Sequence, residues 1–283
     1  MPIPNKMNPL GLSPESASPY FELTVQPGIL SDGMTYGFCP FWNTGGGCTI
    51  VDWGDGTGGE ASVSGQTVTH TYQEAGIYTI RLMADCYRIR FGYESNYPGL
   101  ISHCNGNWNA LGTITDGSSM FRGCVNGEFD FCNLPEHLTK AQDMFQNCGK
   151  SLLPLKELPS GLTNGRSMFL NCSSAQLNLR TLPSGLTECY GMFQNCSAAG
   201  LNFSALPAGI KSGAYMFYFC KNAVMNLTQL AENAPHDGWK SLSSIESMFR
   251  GDTKVSGSRS AFLAKCPPGI PDSYAFSQTG TTE

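Results

Sequence analysis

Met168-Phe169-Leu170-Asn171-Cys172, followed by Leu177-Asn178-Leu179 and Leu182-Pro183-Ser184-Gly185-Leu186-Thr187, is one unit of a repeat that decides the fold. Its Met-Phe dipeptide recurs at Met120, Met144, Met192 and Met216, each step being 24 residues. Cysteine keeps the same step at Cys124, Cys148, Cys172, Cys196 and Cys220, and Leu-Pro at Leu134, Leu158, Leu182 and Leu206. Three residue classes locked to one period mark a solenoid, in which each coil buries its apolar face only against its neighbours.

Within the unit, Leu177-Asn178-Leu179 alternates, which predicts a short strand with both leucines inward and Asn178 outward. Pro183 and Gly185 then turn the chain. The Met-Phe segment is too short for a long helix and reads as one turn or an irregular corner. The period breaks after Phe217, since Met248-Phe249 follows 32 residues later and Gly251-Asp252 replaces Asn-Cys. The extra residues fall near Ala231–Gly238, and insertions in solenoids map to loops, often on a binding face. Cys266-Pro267-Pro268-Gly269-Ile270 and Ala275-Phe276 read as a worn last coil. Ahead of the array, Trp108 and Leu111 are expected to cap its first coil, as part of a linker over 93–119.

From Tyr20 to about Gly92 the pattern is instead short alternating runs between Gly-rich turns: Phe21–Val25, Thr35–Cys39, Thr49–Trp53 and Ile77–Leu82. Such spacing predicts an antiparallel sandwich. Val51-Asp52-Trp53-Gly54-Asp55-Gly56-Thr57, then His70-Thr71-Tyr72 and Ala75-Gly76-Ile77-Tyr78-Thr79-Ile80, resembles the core motif of polycystic-kidney-disease (PKD) type domains. Asp55-Gly56 is a tight-turn signal, and Trp53 and Tyr72 are candidate core residues. The 24-residue units, with Met-Phe and Asn-Cys before the leucine-rich segment, resemble the BspA-like leucine-rich-repeat family of surface proteins over about residues 96–278. The expected architecture is therefore mainly β. An extended arm (1–19) leads to a PKD/Ig-like β-sandwich (20–92), and the 93–119 linker to a leucine-rich-repeat solenoid (120–283) of about six coils.

Composition narrows the chemistry. A net charge of −5 with 17 Lys+Arg and no basic run argues against nucleic acid. No basic amphipathic stretch suggests a membrane surface, and no apolar run approaches the roughly 20 residues needed to span one. Met1–Tyr20 is rich in Pro, Ser and Asn and lacks the apolar centre of a secretory signal. Of the twelve cysteines, the five on the ladder read as buried, reduced thiols. A disulfide among Cys39, Cys48 and Cys86 stays open, and no spacing suggests a metal or cofactor. Asp52 and Asp55 read as turn residues before a carboxylate pair, and His70 as a packing residue before a base. Asn171, Asn195, Asn202 and Asn226 each open an Asn-x-Ser/Thr triplet, better read as corner residues than as glycan acceptors.

The expected activity is thus display and binding, without catalysis. Candidate contact residues are the outward positions of successive coils: Asp130, Lys156, Asn178, Arg180, Asn202, Ser204, Asn226 and Thr228. The insertion adds His236, Asp237 and Trp239. The expected partner is a protein or glycan on a host or particle surface, with the arm docking on a neighbouring subunit. A phage virion surface is the first expected setting, a BspA-like bacterial adhesin the second, and a glycan-active enzyme using Asp52 and Asp55 the third.

Overall fold

The computed structural model describes residues 18–92 and 97–283. Nearly all of the expected arm, residues 1–17, lies outside the described residues. The fold is mainly β with few helices, and its sheets are open. Strands β1 (Phe21–Val25), β3 (Cys48–Asp52), β4 (Gly59–Glu60), β6 (Tyr78–Ala84) and β8 (Ile101–Cys104) form one sheet, ordered β4-β3-β6-β1-β8. The second sheet is β5-β2-β7, from β2 (Thr35–Phe41), β5 (Val68–Thr71) and β7 (Arg88–Arg90). Alternation drives this: Phe21, Leu23 and Val25 of β1 are buried, as are Ile80 and Leu82 of β6, while Glu22 and Thr24 face out. Membership of β8 corrects the linker expected over 93–119, because Ile101 and Cys104 are buried and β8 pairs antiparallel with β1.

Residues beyond Gly112 stack in coils with the 24-residue stride, and the stack grows directly out of β7. Arg88 makes a parallel bridge to Asp116, and the bridge series continues through Lys140, Asn164, Glu188 and Ser212. Phe91 donates its N–H to Met120 O at 2.7 Å, as Phe121 does to Met144 O and Phe145 to Met168 O. Phe91 therefore takes the phenylalanine place of a coil that precedes the first. Trp108 and Leu111, on a single 3-10 turn (Trp108–Leu111), are buried as expected of a cap. The template for the first coil, however, is β7, whose outer edge would otherwise present unpaired N–H and C=O groups.

The Met-Phe corner explains the repeat signature. The N–H groups of Ala141, Asp143, Phe145 and Asn147 donate to Asn164, Arg166, Met168 and Leu170 O in the next coil, at 2.8–2.9 Å. Those of Met144, Gln146 and Cys148 turn back to Ala141, Asp143 and Phe145 O within the coil, at 3.0–3.2 Å. Consecutive β-turns thus alternate with inter-coil bonds, so that nearly every backbone donor in this stretch is used. Asp143 (φ 55°) and Asn147 (φ 64°) sit at third positions of such turns, where type II geometry requires positive φ. Asn171 and Asn195 repeat this at φ 62° and 60°, since Asn tolerates the left-handed region.

Inside the corner, phenylalanine rings stack continuously from Phe21 and Phe91 through Phe121, Phe145, Phe169, Phe193, Phe217, Phe249 and Phe276. Centroids from Phe121 onward are 5.6–6.0 Å apart. All five ladder cysteines are fully buried, and four donate their thiol to the Phe carbonyl of the preceding coil: Cys148 to Phe121, Cys172 to Phe145, Cys196 to Phe169 and Cys220 to Phe193, at 2.6–3.0 Å. Burial raises the thiol pKa of all four.

Two expectations need correction here. Leu177 and Leu179 are buried and Asn178 exposed, but the segment is no regular strand. Asn178, Gly200 and Asn202 donate back to Leu155, Leu177 and Leu179 O, so only every second residue bonds its neighbour, and Pro154 has no N–H to offer. The insertion is no simple loop either. It opens with helix α1 (Leu227–Glu232), whose Leu227, Leu230 and Ala231 are buried and which packs on α2 (Arg259–Leu263). In the last coil Ala275 is buried and Phe249 N–H donates to its carbonyl.

Candidate functional site

The outward row is present over four coils. Asp130, Lys156, Asn178, Arg180, Asn202 and Ser204 are exposed, between buried Phe129, Phe131, Leu155, Leu177, Leu179, Leu201 and Phe203. With its amide turned to satisfy both groups, Asn202 accepts from Arg180 Nη1 at 3.0 Å and donates to Val224 O at 3.2 Å. The row stops at the fifth coil, which corrects the assignment of Asn226 and Thr228. Asn226 caps α1, accepting from Thr228 and Gln229 N–H at 2.9 and 3.2 Å, and Thr228 Oγ1 accepts from Ser258 N–H at 3.0 Å.

The insertion splits the same way. His236 and Asp237 are exposed, with His236 Nδ1 2.8 Å and Lys240 Nζ 2.7 Å from the Asp237 carboxylate. Trp239 is fully buried, 5.2 Å from the Phe262 ring, and is a core residue. The expected contact role of Trp239 fails because the insertion holds α1 and is no open loop. The spacing Leu227, Leu230, Ala231 carried the signal.

At its sandwich end the row enters a groove of about 780 Å³ lined by Gln26, Ser102, His103, Glu128, Asp130 and Lys150, among others. Strand β8 supplies Ser102 and His103, the segment after β1 supplies Gln26, and the first two coils supply Glu128, Asp130 and Lys150. Glu128 N–H donates to Ser102 O at 2.8 Å, His103 Nδ1 lies 3.2 Å from Glu128 O, and Lys150 Nζ donates to Asn126 Oδ1 at 3.1 Å. The polar head groups of Asp130 and Lys150 thus face one cleft from adjacent coils. Of this set only Asp130 is legible in the sequence, because β8 lies where a linker is expected over 93–119.

The sandwich motif is occupied with its own backbone. Asp52 Oδ1 accepts from Gly54 and Gly56 N–H at 2.7 and 3.1 Å. Asp55 Oδ1 accepts from Thr57 N–H and Oγ1, at 3.0 and 2.6 Å, and Oδ2 lies 2.7 Å from His70 Nε2. The Thr57 hydroxyl first, then His70, holds Asp55 below the usual carboxylate range. His70 stacks on Trp53, with centroids 5.0 Å apart, and Tyr72 Oη donates to Trp53 O at 2.9 Å. Residues 20–85 match the PKD domain family. PKD domains are commonly extracellular, surface-associated modules. No curated protein and no solved structure matches the chain. No group of three or more His, Cys, Asp or Glu among the described residues could hold a metal ion. No helix among them is long and apolar enough to cross a membrane.

Proposed function

We propose that the protein is a non-enzymatic surface-display or adhesion component that binds a protein or glycan on a host or particle surface. The coil stack, in this reading, is a BspA-like leucine-rich-repeat solenoid joined to the PKD domain. The observation that carries it is the exposed polar row running from Ser204 through Lys156 into the groove beside β8, on a stack whose alternating Leu and Phe residues turn inward. A rigid stack with an adjustable outer face suits recognition over an extended surface more than a deep small-molecule site.

The setting we propose is a virion surface, as a decoration or host-adhesion component. Twelve free cysteines support it, one of them, Cys132, exposed. Export through an oxidising compartment favours pairing, whereas assembly in a reducing cytoplasm preserves thiols. A bacterial cell-surface adhesin is the second reading, supported by the extracellular habit of PKD domains. The test is retention of labelled protein on host cells. Lys156→Glu with Arg180→Glu reverses two exposed charges on the row and should cut retention about tenfold, about 1.4 kcal/mol, with an unchanged Tm. Retention equal to wild type would remove the row from the binding surface.

A further inference from the structure

The Met-Phe corner presents a second face, formed by the residues that flank each buried dipeptide. In the first two coils no tyrosine flanks the dipeptide, whose neighbours include Arg122, Gln142, Asp143 and Gln146. From the third coil onward the flanks include tyrosines and arginines that touch one another from coil to coil. Arg166 Cζ lies 4.7 Å over the Tyr190 ring, Tyr190 is 5.6 Å from Tyr215, and Tyr215 is 5.6 Å from Tyr218. Arg250 Cζ then lies 5.8 Å from the Tyr218 ring and 5.1 Å from Tyr274, which is 66% exposed.

This strip has the features of a binding face. Packing of the core does not need it, because the phenylalanine stack beneath is complete without it. Neither arginine forms an ion pair among the described residues. The nearby acids are already engaged: Glu188 lies 3.1 Å from Lys211 Nζ, and Glu246 accepts from Tyr215 Oη at 2.7 Å. Arg250 Nε is buried without an acceptor. Two guanidinium groups three coils apart, resting on tyrosines and free of carboxylates, are complementary to an anion that brings its own carboxylates.

We propose that this strip binds an acidic polysaccharide along the axis of the stack. Tyrosine rings offer apolar faces to the C–H surface of pyranose rings and a hydroxyl at the tip. The arginines fork the uronate carboxylates bidentately. At least one contact arrives per coil, on coils whose phenylalanine rings are 5.6–6.0 Å apart, which matches a linear polymer of sugar units better than a single sugar in a pocket. Single-stranded nucleic acid also stacks on aromatics, but it needs a groove of cations that tracks every phosphate, and the strip has two. An acidic peptide would want a deep apolar anchor, which the strip lacks.

The inference rests on the adhesion reading but uses a different face from Lys156 and Arg180. The full-length chain is titrated by calorimetry with alginate oligosaccharides, a polyuronate, beside dextran, polyglutamate and oligothymidylate. Alginate alone should bind. Arg166→Gln with Arg250→Gln should weaken it about tenfold, about 1.4 kcal/mol, and flatten its salt dependence. Tyr274→Ala, a change at an exposed side chain, should weaken it without moving Tm, while Lys156→Glu with Arg180→Glu leaves it unchanged. Absence of alginate binding, equal binding of any comparator, or wild-type affinity in Tyr274→Ala would each overturn the proposal. Host-cell retention lost only in the row variant would leave the adhesion reading standing alone.

Discussion

Asp252 stands where the ladder calls for the next cysteine, and the exchange has a cost. Its side chain is fully buried, and neither carboxylate oxygen has a hydrogen-bond partner. Burial pushes its pKa up to about 9, so the folded protein holds it protonated at neutral pH. The unfolded chain titrates it near 3.8. Below that value both states carry the proton and the group costs nothing through ionisation. As pH rises from about 4 to about 9 only the unfolded state releases it, so stability falls across that window and levels off above the folded pKa. Asp252→Cys restores the repeat residue and should stabilise by about 1–3 kcal/mol at pH 8, with the gain shrinking towards pH 4. Denaturant melts of both proteins at the two pH values check this; a gain equal at both would exclude ionisation as its source.

At the scale of the element, the coil corner shows how much a period can reveal. Repetition of Met, Phe and Cys made the inward lining legible, and the dipeptides at Met248 and Ala275 rejoin the same phenylalanine stack despite the insertion. Repetition could not show what the backbone does between those residues. The corner Asn of Asn-Cys supplies left-handed φ, and Asn171 and Asn195 Nδ2 donate to Asn147 and Asn171 Oδ1, at 2.8 Å, in a side-chain ladder. The exposed row was legible through Ser204 because inward and outward residues alternate, and it ends at Asn226, where helix capping reuses an identical-looking Asn. The thiol ladder gives the prediction at this scale. Each Sγ is enclosed and donates to a carbonyl, and desolvation disfavours the reactive thiolate. A thiol reagent should therefore label Cys132 rapidly in the native protein and leave Cys148, Cys172, Cys196 and Cys220 unlabelled until denaturant is added. Rapid native labelling of those four, located by peptide mapping, would contradict the ladder.

Across the whole molecule, the PKD domain and the coils share one core, which changes what either can do alone. Phe91 stacks on Phe21 of β1 at 5.2 Å on one side and on Phe121 of the first coil at 5.4 Å on the other. Trp108 lies 5.6 Å from Phe21 and 5.1 Å from Phe131, closing the same junction. In a repeat array each coil is stabilised mainly by its neighbours, so an uncovered first coil lacks half of its interface. Here β7 is that neighbour, through the Arg88–Asp116 bridge and the Phe91 hydrogen bond. Phe91→Ala should cost about 3–5 kcal/mol, and because the ring belongs to both parts the loss should appear in both. Tryptophan fluorescence and hydrogen exchange on β6 and on the first two coils should then report a single lowered transition. If β6 keeps its protection while the coils lose theirs, the sandwich and stack are separate cooperative units, and the continuous ring stack is contact without coupling.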